Sequence, residues 1–197
     1  MRPSSGFTVT RGQDKAVSPV LYLDFDGVIN FFGGRHKHRE RSDLGYTRHA
    51  AASPLPRYNQ FGQQHPTGVY PIQWSGQLLH MLSEIDGLDI IWLTTWRDST
   101  PELERAMGWM KPVGSLNWVD GPTGREHAGK VPALLHHQMF APRPFIWADD
   151  EAHQFYLPEH RAQTANTPQL LIAPDEKVGL TASHVQQIAD FVAEHRA

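Results

Sequence analysis

Two carboxylates stand two positions apart in "LYLDFDGVIN", residues 21–30, where an apolar run ends in Asp24 and Asp26 and the chain then reaches Gly27. Like charges that close repel, so the pair implies a compensating cation or a reaction on phosphate. A carboxylate is a weak nucleophile, but it is ionised at neutral pH, and its attack on phosphorus would divide phosphoryl transfer into two easier steps. In extended backbone the residue two positions on faces the same side. Asp24 is therefore the candidate nucleophile. Asp26 is the candidate acid that protonates a leaving oxygen and later deprotonates water.

Three further stretches hold partners for such chemistry. Thr94 ends "IIWL" and could offer its hydroxyl to phosphoryl oxygens. Thr95 competes for that role, because strand alternation lets only one of the two point inward. Lys130, in "HAGKVPALL", stands 19 positions before Asp149 and could neutralise charge developing on a phosphoryl group. Lys111 and Arg125 are its rivals. Asp149 and Asp150 end "FIWA", and oxygen-only ligands beside a phosphate select Mg²⁺. Trp96 and Arg97 follow the Thr pair: Trp96 could stack on a base or ring and Arg97 could grip a second anionic group. Core packing and a helix-start salt bridge are their plainer uses. The pairs His36/His38 and His136/His137 lack the i, i+4 spacing of a helical zinc site and read as exposed or packing residues.

These residues need elements to bring them together. Val20 to Phe25 is a short, nearly all-apolar run, the pattern of a strand buried on both faces. Residues 88–96, 143–150 and 168–173 repeat it, and 112–119 is a weaker fifth. Helical patterns lie between: "WSGQLLHMLSEIDG" with Gly87 as cap, "STPELERAMGWM" with Ser99 or Thr100 as cap and Pro101 at the first helical position, "GKVPALLHHQMF", and "TASHVQQIADFVAEHR" capped by Thr181 or Ser183. Strands alternating with helices predict an α/β fold: a Rossmann-like, doubly wound, mainly parallel sheet with helices on both faces. Ligands bind beyond the carboxyl ends of such strands, and Asp24, Thr94 and Asp149 all fall on that edge. Residues 31–72 break the rhythm. They are rich in Gly, Pro, His and Arg, without a helical period, and read as a small insertion or cap over the site, with a hairpin in 58–72.

The composition supports a packed domain: 40% of the 197 residues are apolar, 20% are charged, and six Trp and nine Phe are present. Zero cysteines exclude disulfides, thiolate metal sites and thiol nucleophiles. No run reaches the roughly 18 apolar residues of a membrane span, and residues 1–19 lack a signal-peptide core. They read as a flexible N-terminal extension to a catalytic domain over 20–197, in a soluble, cytoplasmic protein with no membrane partner. The net charge of −3 is uneven: residues 31–72 carry six Lys/Arg against Glu40 and Asp43, a net of +4 that leaves −7 elsewhere. A basic insertion on an acidic body suggests an anionic partner, nucleic acid among them; a solvated loop is the bland alternative.

Together, D-x-D-G-V after an apolar strand, a Thr ending a second strand, an isolated Lys and an apolar run ending in Asp-Asp resemble the haloacid dehalogenase-like (HAD) superfamily. The resemblance runs from about Val20 to the C-terminus and is nearest to the small HAD domains, including one found in multidomain RNA-repair proteins. It implies an aspartyl-phosphate mechanism with Asp24, Asp26, Thr94 and Lys130 as catalytic residues. It also implies Mg²⁺ held by Asp24, the Asp26 backbone carbonyl and Asp149, with Asp150 acting through water or on Lys130, or in the reverse order within that pair. The second Asp, at Asp26, points to a phosphate monoester, carried by a small molecule, a nucleotide or a nucleic-acid end. Thr95, Trp96 and Arg97 would then contact substrate. The alternative is a non-catalytic HAD-scaffold binding module that recruits nucleic acid or protein through its Arg/His-rich insertion. The presence of every catalytic acid weighs against it.

Overall fold

The computed structural model describes residues 18–32, 44–45, 47–55, 68–118 and 129–196. Its centre is a five-stranded, wholly parallel sheet of β1 (Val20–Leu23), β4 (Asp89–Trp92), β5 (Gly114–Ser115), β6 (Phe145–Ala148) and β7 (Gln169–Ile172), in the order β5-β4-β1-β6-β7. All five expected strands are present. The chain runs outward from β1 through β4 to β5, then crosses back to place β6 and β7 on the other side. That reversal makes the carboxyl end of β1 the topological switch point, where a crevice opens in sheets of this kind.

The period-two alternation of β1 sorts its side chains between two cores. Leu21 and Leu23 pack with α1 (Gly76–Ser83), α2 (Thr100–Met107) and α6 (Ala182–His195), through Leu78, Leu82, Leu103 and Ile188. Val20 and Tyr22 face α3 (Lys130–Phe140), through Val131 and Leu134, and Tyr156, which lies between the short helices α4 (Ala152–Phe155) and α5 (Pro158–Gln163). Helices therefore cover both faces, as the strand–helix alternation predicts. Trp92 and Trp147 are fully buried on opposite faces. Truncating an aromatic of that size to Ala costs about 3–5 kcal/mol.

The insertion contains regular structure. Strand β2 (Thr47–Ala52) pairs antiparallel with β3 (Tyr70–Ser75), and β3 runs straight into α1, whose first turn is capped by Ser75 accepting from the Leu78 N–H at 3.1 Å. The hairpin expected within residues 58–72 lies mostly outside the described residues; the described antiparallel pair instead joins β2, upstream of residue 58, to β3, which continues to Ser75. The Leu55 N–H, just beyond β2, donates to Ser99 Oγ at 2.9 Å. Ser99 precedes α2 as expected, but its hydroxyl ties down the insertion instead of capping the helix. Thr181 does cap α6, accepting from the His184 N–H. Gly87 lies beyond the end of α1, in a turn with φ +74°, and is not its cap.

Of the insertion's six basic residues, Arg48 is described, with its guanidinium over Gly76. Arg35, Lys37, Arg39, Arg41 and Arg57 lie outside the described residues, as do His36, His38 and residues 1–17 of the expected N-terminal extension. Ser18 and Pro19 are already engaged, their carbonyls accepting from Arg143 and from the Asp89 N–H.

Candidate active site

Three strand ends build the site. In β1, Asp24 continues the side of Val20 and Tyr22, the face covered by α3; in β6, Asp149 continues Phe145 and Trp147 toward the same helix. Leu23 pairs in register with Ala148, and the Asp24 N–H donates to the Ala148 carbonyl at 2.9 Å, so the next residues, Asp24 and Asp149, are lateral neighbours. Lys130 is the first residue of α3. Its Nζ donates to Asp24 Oδ2 and to Asp149 Oδ2, each at 2.7 Å, and only 1% of the residue is exposed. The free oxygens of both acids accept backbone donors: Asp24 Oδ1 from Phe25 N–H at 2.7 Å, Asp149 Oδ1 from Glu151 N–H at 2.9 Å.

Asp150 closes the cluster. Its carboxylate lies over Gly27, where a Cβ would meet its Cγ at 2.5 Å, and Gly27 takes φ +74°. A glycine is needed there both for the left-handed backbone and for the space. Oxygens of Asp24, Asp149 and Asp150 all lie within 4.8 Å of one another, and among the described residues this is the one group of three or more acids or histidines so arranged.

The electrostatics follow from burial. Burial pushes the Asp24 carboxyl above the usual range, and the Lys130 ammonium pulls it back only in part. Burial, then the charge of Asp24, raises Asp149 in the same direction. Half-buried Asp150 rises to about 6, through burial and then Asp149. Burial alone would lower the Lys130 ammonium, but its two carboxylates outweigh it and hold the group well above its ordinary value. With all four groups ionised the cluster carries two uncompensated negative charges. Three converging carboxylates, oxygen donors only, with that charge balance, fit a hard divalent cation such as Mg²⁺.

Asp26 projects differently. It is half-buried, with Oδ1 accepting from Asn30 Nδ2 at 2.5 Å and Oδ2 accepting from Trp96 Nε1 at 2.9 Å. Its side chain is no part of the carboxylate cluster. Thr94, buried, lies two residues beyond β4 and level with Phe25 by continuation of the β1–β4 register; its Oγ1 accepts from the Trp96 N–H at 3.4 Å. Thr95 is more open.

A model of the family described as the HAD domain in Swiss Army Knife RNA repair proteins matches residues 20–185. The chain belongs to this family. A HAD domain is a hydrolase scaffold of the phosphatase type that generally works with Mg²⁺, and the acidic cluster is compatible with both. Neither a curated protein nor a solved structure gives a match. No helix among the described residues is long and apolar enough to cross a membrane.

The sequence-derived candidates thus divide in two. Asp24, Lys130, Asp149 and Asp150 converge. Of the Lys130 rivals, Lys111 donates to the Ser83 carbonyl at 3.2 Å, at the end of α1, and Arg125 lies outside the described residues. Trp96, read as a stacking platform, is 6% exposed; its indole N–H holds Asp26 and its ring packs edge-on against Phe25 and Tyr70. Arg97 is also buried, at φ +48°, with its guanidinium 4.5 Å from the Trp118 ring centroid. His136 is exposed, with its ring tilted against Phe140, and His137 packs inward, its Nδ1 meeting the Tyr22 hydroxyl at 2.6 Å. Asn30 is the residue that sequence reasoning missed. Its signal was a lone amide in the otherwise apolar run "GVINFF", the mark of a buried polar group with a partner.

Proposed function

We propose that this HAD domain is a Mg²⁺-dependent phosphatase that hydrolyses a phosphate monoester through an aspartyl-phosphate on Asp24. The observation that carries the reading is the buried Lys130 ammonium shared between Asp24 and Asp149, with Asp150 beside them. Such a lysine orients the nucleophile and offsets the charge of an arriving phosphoryl group. An Asp24 oxygen attacks phosphorus as the bond from phosphorus to the leaving alcohol oxygen breaks. The Asp26 carboxylic acid gives its proton to that oxygen and becomes a carboxylate. A water then attacks the aspartyl-phosphate, Asp26 takes one of its protons, and the bond from phosphorus to Asp24 breaks, its electron pair returning to Asp24. Mg²⁺, held by Asp24, Asp149 and Asp150, would supply positive charge to the phosphoryl oxygens. Thr94 would add a hydroxyl donor. Thr95 and Arg97, on the turn after β4, would serve substrate.

For substrate we propose a nucleotide or a nucleic-acid end. The basic insertion at 31–72 and the RNA-repair proteins in which this domain family is described support that choice. The test is phosphate release, with and without Mg²⁺, from small phosphate esters and from oligonucleotides phosphorylated at the 5′ or the 3′ end. The reading expects Mg²⁺-dependent release, abolished in Asp24→Asn, with one oligonucleotide end preferred and binding that weakens steeply with salt. No release from any of them would contradict it.

A further inference from the structure

Asp26 is held by two donors, one on each oxygen: Asn30 Nδ2 at 2.5 Å and Trp96 Nε1 at 2.9 Å. Both donors are 6% exposed and both are anchored. Asn30 Oδ1 accepts from the Gln73 N–H at 3.0 Å, and its carbonyl accepts from the Gly27 N–H at 2.7 Å, closing the turn after β1. The Trp96 ring sits edge-on to Phe25, with centroids 5.8 Å apart, and to Tyr70, 6.0 Å apart. Two fixed donors on the two oxygens of a short side chain leave it one orientation, where a half-buried acid with a single partner could turn.

General acid catalysis depends on that orientation, because the proton must pass to a leaving oxygen at hydrogen-bond distance. We propose that Trp96 and Asn30 are positioning residues for Asp26, fixing the rotamer from which it hands its proton to the leaving group. Gln73 and Tyr70 both belong to β3, so the same contacts tie the acid to the insertion. The proposal rests on the phosphatase reading above.

The test separates protonation of the leaving group from every other function of the site. In the full-length protein, kcat/KM reports events up to departure of the alcohol. It is measured for p-nitrophenyl phosphate, whose leaving group departs without a proton, and for glycerol phosphate, whose alkoxide needs one. Trp96→Phe removes the indole N–H and keeps an aromatic ring. Its ratio of alkyl to aryl kcat/KM should fall at least about tenfold, a part of the roughly 10²–10⁴-fold that general acid catalysis contributes in full, and Asn30→Ala should shift it the same way. In an Asp26→Asn background, Trp96→Phe should leave the ratio unchanged, since the effect acts through Asp26. Taking the ratio cancels any loss of folded protein. An unchanged ratio in both single variants, or an equal shift in the Asp26→Asn background, would overturn the proposal while leaving the phosphatase intact. A wild-type protein inactive on both esters and on the oligonucleotides would instead remove the reading beneath it.

Discussion

Lys130 Nζ lies 2.7 Å from Asp149 Oδ2 and at the same distance from Asp24 Oδ2, so a single buried ammonium serves two carboxylates from adjacent strands. The arrangement follows from register: Leu23 and Ala148 are partners, the next residue on each strand is an aspartate, and α3 begins over the gap between them. A buried ion group of this kind is weakly stabilising as a whole, but removing one member leaves the others uncompensated.

Lys130→Met should therefore cost the metal-free protein about 3–5 kcal/mol, the loss typical of breaking a buried pair. Urea denaturation in the presence of a chelator measures it. A cost near that of an exposed ion pair, below about 1 kcal/mol, would mean that the lysine is not the main compensating charge.

Mg²⁺ should stabilise the wild-type protein. At about one hundred times its dissociation constant the gain is about 2.7 kcal/mol, and each kcal/mol moves Tm by about 2–4 °C for a chain of this size. Asp149→Asn should lose most of that increment, whereas Asp26→Asn should keep it, because the Asp26 side chain lies outside the carboxylate cluster. An equal increment in all three proteins would place the ion elsewhere.

Gly27→Ala introduces a Cβ at φ +74° and against the Asp150 carboxylate. The strained backbone alone should cost about 1 kcal/mol. Displacing Asp150 should also shrink the Mg²⁺-induced rise in Tm. A variant that loses stability but keeps the full Mg²⁺ response would show that Asp150 is dispensable for the ion.

Away from the site, burial lowers the pKa of His137 below the ordinary histidine value of 6.5, with Arg143 and His136 adding to it, and its Nδ1 meets the Tyr22 hydroxyl. A base with a lowered folded-state pKa binds fewer protons folded than unfolded. Its contribution is complete above pH 6.5 and is lost as pH falls below that value. His137→Gln should flatten this loss. Comparing Tm of the two proteins from pH 8 to pH 5 checks the sign: wild type should fall more steeply below 6.5.

The sheet was legible because buried parallel strands write themselves as short apolar runs, and the acids and threonines ending them mark the functional edge. Asp24, Thr94 and Asp149 could be placed on that edge from sequence, whereas Lys130 is set apart from Lys111 and Arg125 chiefly by the resemblance to the HAD superfamily. The insertion's strands could not. β2 reads "TRHAAA", half exposed on a two-stranded ribbon, so neither an apolar run nor a clean alternation announces it. Helix α5 buries none of its residues and leaves no apolar period to read. Trp96 and Ser99 show a further limit. Residue type gives the available donor or acceptor, but its partner, Asp26 in one case and the Leu55 N–H in the other, is distant in sequence and set by tertiary packing.

The central claim is that Asp24 carries the phosphoryl group, and trapping that species tests it most directly. The protein turning over a phosphate ester with Mg²⁺ is quenched in acid, digested and analysed by mass spectrometry. The account predicts one added phosphoryl group on the peptide containing Asp24, absent without Mg²⁺ and absent in Asp24→Asn. Rapid phosphate release with the phosphoryl group on another residue, or on none, would contradict it.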